Sequence, residues 1–171
     1  YNVTVSTADD TLTGNLTVEQ PATPALSALD TAGQGANATI TEGDNASVAV
    51  NVTNAGDQAG SFDVTIGIGT SVSETATTAT LAAGETATVT VANVTGGLAP
   101  GDYEVTVSAD DESLTGNLTV EQPATAALDS LTIAESGTNA TVTNGTDANV
   151  TVAVTNVGDQ QGTFDATLTI A

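Results

Sequence analysis

Lysine, arginine, histidine, cysteine, methionine and tryptophan are all missing from this 171-residue chain, whose 21 Asp and Glu give a formal net charge of −21. Each absence closes off a chemistry. Without Cys or His there is no disulfide framework, no thiol nucleophile, no zinc or copper site of the usual kind and no Ser-His-Asp triad. Without Lys or Arg there is no phosphate-loop lysine, no Schiff base, no arginine clamp and no basic patch for nucleic acid. So acidic a surface repels DNA, RNA and anionic lipid alike, so neither nucleic acid nor a membrane is an expected partner. No apolar run approaches the length of a membrane span, so no membrane insertion is expected of this segment, and no signal peptide is visible.

With no basic side chain, the carboxylates can only repel one another in dilute buffer. At about 1 M salt the screening length falls to roughly 3 Å and most of that repulsion disappears. The composition therefore suits concentrated brine, and folding is expected to depend on salt. High net charge is also a mark of intrinsic disorder. Disorder fits badly here, because 39% of the residues are hydrophobic and they alternate regularly with Thr and Ser. Aromatics are scarce (two Phe, two Tyr), so the core has to be built from Val, Ile, Leu and Ala.

The most informative feature is internal repetition. Tyr1-Asn-Val-Thr-Val-Ser reappears as Tyr103-Glu-Val-Thr-Val-Ser, and Leu12 to Thr23 reappears unchanged as Leu114 to Thr125. Thr53-Asn-Ala-Gly-Asp-Gln58 returns as Thr155-Asn-Val-Gly-Asp-Gln160. Every match lies at an offset of 102 without insertion or deletion, and 42 of the 69 aligned positions are identical. The pattern divides the chain into residues 1–23, the closing strands of one repeat; residues 24–125, one complete repeat; and residues 126–171, the opening strands of a third. Either the chain is a stretch of a longer tandem polypeptide, the favoured reading, or its open ends are completed by neighbouring subunits. In the second case residues 1–23 of one copy would join 126–171 of another, still lacking the counterparts of residues 70–102.

Within the complete repeat, short alternating runs are separated by Gly, Pro, Asn and Asp. Val48, Val50 and Val52 share one face, as do Phe62, Val64, Ile66 and Ile68; Val89 and Val91, and Leu114, Leu118 and Val120, follow the same rule. Gly56 and Gly60 in the intervening turn are expected to supply positive φ. About seven strands in some hundred residues, with no helical periodicity, predict an all-β fold: tandem seven-stranded Ig-like (Greek-key) sandwiches stacked end to end. Tyr103, after a Pro-Gly-Asp turn, stands where a tyrosine corner belongs.

Val-Asn-Val-Thr-Asn-Ala-Gly-Asp (50–57), Leu-Ala-Ala-Gly-Glu-Thr-Ala-Thr-Val-Thr-Val (81–91) and Leu-Ala-Pro-Gly-Asp-Tyr-Glu-Val-Thr-Val (98–107), in that order, resemble the CARDB-type, immunoglobulin-like domains common in haloarchaeal surface proteins. The resemblance implies a secreted seven-stranded sandwich, often in tandem, used in adhesion or as a spacer. It brings no shared catalytic residues.

Adjacent repeats are joined by Glu121-Gln-Pro-Ala-Thr-Ala-Ala-Leu128, matched by Glu19-Gln-Pro-Ala-Thr-Pro-Ala-Leu26. There is no Gly/Ser tract, and the prolines favour extended backbone, so a stiff rod is expected. Ten of the twelve asparagines head an Asn-x-Ser/Thr sequon: Asn2, Asn15, Asn37, Asn45, Asn51, Asn93, Asn117, Asn139, Asn144 and Asn149. Strand periodicity contributes to that number, since i and i+2 share a face. The excess still points to N-linked glycans on a secreted chain. Carboxylate pairs at Asp9-Asp10, Asp110-Asp111-Glu112 and Asp102 beside Glu104 raise calcium as a ligand, against the simpler reading of a solvated acidic surface. No catalytic residue, cofactor or resident metal is expected, and no enzyme. The sequence predicts a structural part of an extracellular filament, pilus-like fibre or surface stalk, located at the cell surface, whose partners are other copies of itself or other surface proteins. The alternative is the spacer of a ligand-binding adhesin or S-layer-associated glycoprotein whose tip lies elsewhere.

Overall fold

A computed structural model of the chain describes residues 1–170, and every regular element among them is a strand. In chain order these are β1 (Asn2–Ser6), β2 (Thr11–Asn15), β3 (Pro24–Thr31), β4 (Asn37–Thr41), β5 (Val48–Asn54), β6 (Asp63–Ile68), β7 (Val72–Thr77), β8 (Thr86–Val91), β9 (Gly101–Ala109), β10 (Glu112–Glu121), β11 (Ala126–Ile133) and β12 (Val150–Asn156). None is a helix, so none is a helix able to cross a membrane.

Strands β3 to β10 form an Ig-like sandwich of two layers, ordered β3-β5-β8 and β4-β10-β9-β6-β7. All neighbours are antiparallel except β4 and β10, which run parallel. The sandwich has eight strands where the sequence punctuation suggests seven, because the opening run is split. Ala32, Gly33 and Gly35 turn the chain through positive φ, and the backbone leaves the edge of one layer at Thr31 to join the edge of the other at Asn37.

The period-2 pattern puts alternate side chains into the space between the layers. Val48, Val50 and Val52 come from one side; Val64, Ile66, Ile68, Val105, Val107 and Leu118 come from the other, and all are fully buried. Phe62 closes the core near one end. The hydroxyl of Tyr103 donates to the Ala99 carbonyl at 2.8 Å, four residues upstream, which ties the β9 start to the preceding turn as a tyrosine corner does. Strands β9 and β10 are joined by the two-residue turn Asp110-Asp111, where Asp110 takes φ of 47°. Asp is among the residues that tolerate that region.

On either side lie strand pairs whose residues are similar to those of the complete repeat and whose pairing follows it closely. Strands β1 and β2 repeat the β9–β10 pairing; β11 and β12 repeat the β3–β5 pairing, each with a register shift, between Ser27 and Asp30 in one and between Leu128 and Ser130 in the other. Their apolar faces are uncovered: Val3, Val5, Leu12 and Leu16 on one, Leu128, Leu131, Val152 and Val154 on the other.

Candidate functional site, the junction between repeats

Two short segments meet at each boundary between repeats. One is the connecting run Glu19 to Thr23, or Glu121 to Thr125. The other is the loop that follows β5 or β12 of the next repeat, Asn54 to Gly60 or Asn156 to Gly162. Backbone bonds run from Ala55 N to the Thr23 carbonyl at 2.8 Å and from Asp57 and Gln58 N to the Gln20 carbonyl at 3.0 and 3.3 Å. In return, the Asp57 carboxylate accepts from Gln20 N at 2.8 Å. The second boundary reproduces the set: Val157 N to Thr125 O, Asp159 and Gln160 N to Gln122 O, and Gln122 N to the Asp159 carboxylate. Gln58 and Gln160 reach back to the carboxylates of Glu19 and Glu121.

Asn54 is the hub. Fully buried, it uses its whole amide: Oδ1 accepts from Thr23 N and Gly56 N, and Nδ2 donates to the Gln58 and Leu81 carbonyls. Asn156 makes three of those four bonds, to Thr125, Gly158 and Gln160. A buried amide with every donor and acceptor engaged rigidifies its surroundings, whereas a half-satisfied one would be costly.

Gly56 and Gly60 do not take positive φ, contrary to the expectation from turn chemistry. They are small for a different reason. A Cβ on Gly56 would stand 1.9 Å from the Pro21 carbonyl oxygen, and one on Gly60 would stand 2.4 Å from the Ala22 Cβ. Gly158 and Gly162 are crowded identically by Pro123 and Ala124. The loop is thus shaped to let the connecting run pass in van der Waals contact.

The connection has no slack. β10 ends at Glu121, whose carbonyl accepts from Glu42 N, and the next residue, Gln122, is already held by the following loop. Gln160 of that loop shares with Gln34, Thr41, Asp44 and Asn45 a polar crevice of about 430 Å³ between the two repeats. The incoming chain is gripped beside Asn54, at one end of β5; the outgoing chain leaves beside Glu42, near the Val48 end. Those points are separated by the length of β5, roughly 20 Å at strand rise.

The sequon asparagines are scattered, not assembled into a site. Asn45, Asn93, Asn139, Asn144 and Asn149 lie in loops, and Asn2, Asn15, Asn37, Asn51 and Asn117 on strands. Nine of these ten are exposed; Asn51 is half-buried and accepts from the Thr88 hydroxyl. Asn93 has φ of 59° in an exposed turn. The two asparagines that head no sequon are Asn54 and Asn156, the junction hubs. Sequence reasoning read their loop only as a turn; the signal that identifies it is the joint recurrence of Glu-Gln-Pro-Ala-Thr and Asn-x-Gly-Asp-Gln at one offset.

Two of the paired carboxylates have local partners. Asp10 accepts from its neighbour Thr11 N, and Asp102 accepts from the Thr119 hydroxyl. Among the described residues, no three acidic side chains converge as a cation site would require.

Residues 23–119, more than half of the chain, match the CARDB family. The chain belongs to the CARDB family. No curated protein matches it in sequence. Among solved structures, it is similar to the CARDB domain of a Pyrococcus furiosus protein, solved in complex with di-metal ions: 19% identity, TM-score 0.46, over 61% of this chain and 97% of that one. It is also similar to a β-glucosidase from Erythrobacter marinus (19%, TM-score 0.46, 58% of this chain and 15% of that one). A third is the alkylpurine DNA glycosylase AlkC of Pseudomonas fluorescens bound to DNA containing an abasic site analog (14%, TM-score 0.46, 58% and 30%). The chain thus spans a small share of either enzyme's length.

Proposed function

We propose that this chain is a structural, non-catalytic segment of an extracellular filament or stalk, in which CARDB repeats stack end to end in a salt-rich environment. The observation that carries this reading is the clasp between Glu-Gln-Pro-Ala-Thr and Asn-x-Gly-Asp-Gln, present at both boundaries with matching bonds and leaving no free residue between sandwiches. A loose tether needs none of this; a member that transmits length and direction does. The acidic surface keeps such a rod soluble in brine, and glycans on the exposed sequons would shield the sheet edges from lateral pairing.

Negative-stain imaging of native cell-surface material tests the reading. Polymers with an axial repeat near one domain length are expected. Isolated, unassociated rods would overturn the filament and leave the stalk of an adhesin in its place.

A further inference from the structure

The loop between β4 and β5 stands at the end of the complete repeat from which the chain leaves for the next one. Glu42 N in that loop donates to the Glu121 carbonyl, and Gln122 is already held by the following repeat. Asn45, also in the loop, is exposed and heads the sequon Asn45-Ala-Ser47. Its backbone is fixed from both sides. The hydroxyl of Thr95, which is 2% exposed, accepts from Ala46 N at 2.7 Å and donates to the Asp44 carbonyl at 2.9 Å. Val94 N adds a bond to the Ala46 carbonyl at 3.1 Å. Gly96 leaves room beside the amide, since a Cβ there would stand 2.9 Å from Asn45 Oδ1.

Both ends of the sequon, Asn45 and Ser47, line the polar crevice of about 430 Å³ that Gln160 of the next repeat borders. That volume lies within the range of small-ligand sites, about 300–1,000 Å³. Gln34, Thr41 and Asp44 contribute amide, hydroxyl and carboxylate groups to its walls, and no aromatic ring is among them. Such a lining suits a polyhydroxylated guest held by hydrogen bonds and offers little to an apolar one.

The sequence repeats the arrangement with different residues. Glu-Gly-Asp-Asn-Ala-Ser (42–47) and its counterpart Asn-Gly-Thr-Asp-Ala-Asn (144–149) agree only at Gly and Ala, and Asp147 stands where Asn45 would. The second loop nevertheless carries sequons of its own, at Asn144 and Asn149. Strand alternation does not account for them, because Asn45, Asn144 and Asn149 all lie outside strands. On strands the opposite is seen: Asn2 and Asn51 have Glu104 and Ala153 as counterparts.

We propose that Asn45 carries an N-linked glycan whose first sugars lie in this crevice and brace the joint between repeats. The proposal rests on reading the chain as an extracellular rod, and it gives the sugar coat a mechanical part. In the covalent step Asn45 Nδ2 bonds to the anomeric carbon of a sugar delivered as a glycosyl phosphate donor. The bond from that carbon to the phosphate oxygen breaks, the phosphate leaves with the electron pair, and one Nδ2 proton passes to solvent. A glycan tethered in this way needs little intrinsic affinity, because the linkage keeps its local concentration at the crevice high. In a chain without a basic residue no side-chain salt bridge can tie one repeat to the next. A polyhydroxylated wedge does so by hydrogen bonds alone, which salt screens less than it screens exposed charge pairs.

Mass spectrometry of the protein from its native cells, cut after Asp and Glu, is expected to find Asn45 glycosylated. Ser47→Ala removes the sequon and leaves Asn45 in place, whereas Ser47→Thr keeps the sequon. The readout is hydrogen exchange at the Asp159 and Gln160 amides, which bond to the Gln122 carbonyl at the joint. In the glycosylated protein Ser47→Ala is expected to speed that exchange about three- to tenfold, what one net hydrogen bond contributes. Ser47→Thr should leave it unchanged, and in a chain produced without glycans both variants should exchange like the parent. A bare Asn45 would overturn the proposal. So would an occupied Asn45 with exchange unmoved by Ser47→Ala, the result for a glycan that points into solvent. An equal rise in the chain without glycans would also overturn it, because the effect would then belong to the hydroxyl. Filaments on the cell surface with Asn45 bare would remove the brace and leave the filament standing; a braced joint on isolated rods would do the reverse.

Discussion

Leu118-Thr-Val-Glu and Leu16-Thr-Val-Glu are the same four residues in two environments. The first closes β10 with Leu118 fully buried; the second pairs only at Leu16, which exchanges backbone bonds with Tyr1, and Leu16 is 53% exposed. Val105 and Val107 are inaccessible, whereas Val3 and Val5 are 47% and 65% exposed. Local preference is identical in each pair, so the difference measures what partners contribute. The alternation of Val and Thr makes a strand available, and a neighbouring strand with an apolar layer above it makes the strand form. The hairpins themselves persist at both ends because β1–β2 and β11–β12 each carry their own partner. Segments whose only partners belong to other parts of a repeat do not pair.

Truncation of one leucine in each environment breaks the comparison most sharply. Leu118→Ala leaves a cavity between the layers and is expected to lower the stability of the complete repeat by about 3 kcal/mol, the usual range for a buried Leu→Ala change. Leu16→Ala in this 171-residue chain is expected to change it by less than about 0.5 kcal/mol, as exposed substitutions do. Denaturant titration at one fixed high salt concentration measures both. Equal losses would mean that residues 1–23 are packed in a way the exposed hairpin does not show.

The junction offers a second pair. Asn54→Ala strands the Thr23 and Gly56 amides and the Gln58 carbonyl, leaves the Leu81 carbonyl with the Gly60 amide alone, and is expected to cost about 2–3 kcal/mol. Asn156→Ala removes three bonds, all exposed, and is expected to cost about 1 kcal/mol or less. Small-angle scattering of each variant adds the mechanical half of the comparison. Asn156→Ala should loosen the second boundary and broaden the distribution of lengths, while the complete repeat keeps its stability. A rod unchanged in both measurements would show that the clasp is not what holds the repeats in line.

Much of this was legible in the residues. The two-residue period gave Val48, Val50 and Val52 and their partners on β6, β9 and β10. The change of layer between Thr31 and Asn37 was not legible, because Ala32 to Ala36 reads as an ordinary polar turn, and only the presence of two receiving edges decides it. The role of Gly56 was misread for a related reason. A glycine in a turn suggests φ freedom, but here the constraint comes from Pro21, 35 residues away in sequence, whose carbonyl occupies the space of a Cβ. Asn54 was hidden by the ten sequon asparagines around it. Its burial depends on the Leu81 carbonyl and the Thr23 amide arriving from different parts of the chain, and strand periodicity says nothing about either.

The smallest effect compares equivalent positions across the repeats. Thr31 is fully buried and its hydroxyl is the one buried side-chain polar atom among the described residues without a hydrogen-bond partner. Its counterpart at the offset of 102 is Ile133, which has no hydroxyl to satisfy. An unpartnered buried hydroxyl carries a desolvation cost with no compensating bond, and replacing it by a methyl of the same shape removes that cost. Thr31→Val is therefore expected to stabilise the complete repeat by about 1 kcal/mol, read as a higher denaturation midpoint at unchanged slope. The larger Thr31→Ile should gain less, because Thr31 sits in a closed sandwich and Ile133 in an open one, and an extra methylene in a filled core forces its neighbours aside. If Thr31→Ile proved the more stable of the two, the space around residue 31 would have to be looser than its complete burial implies.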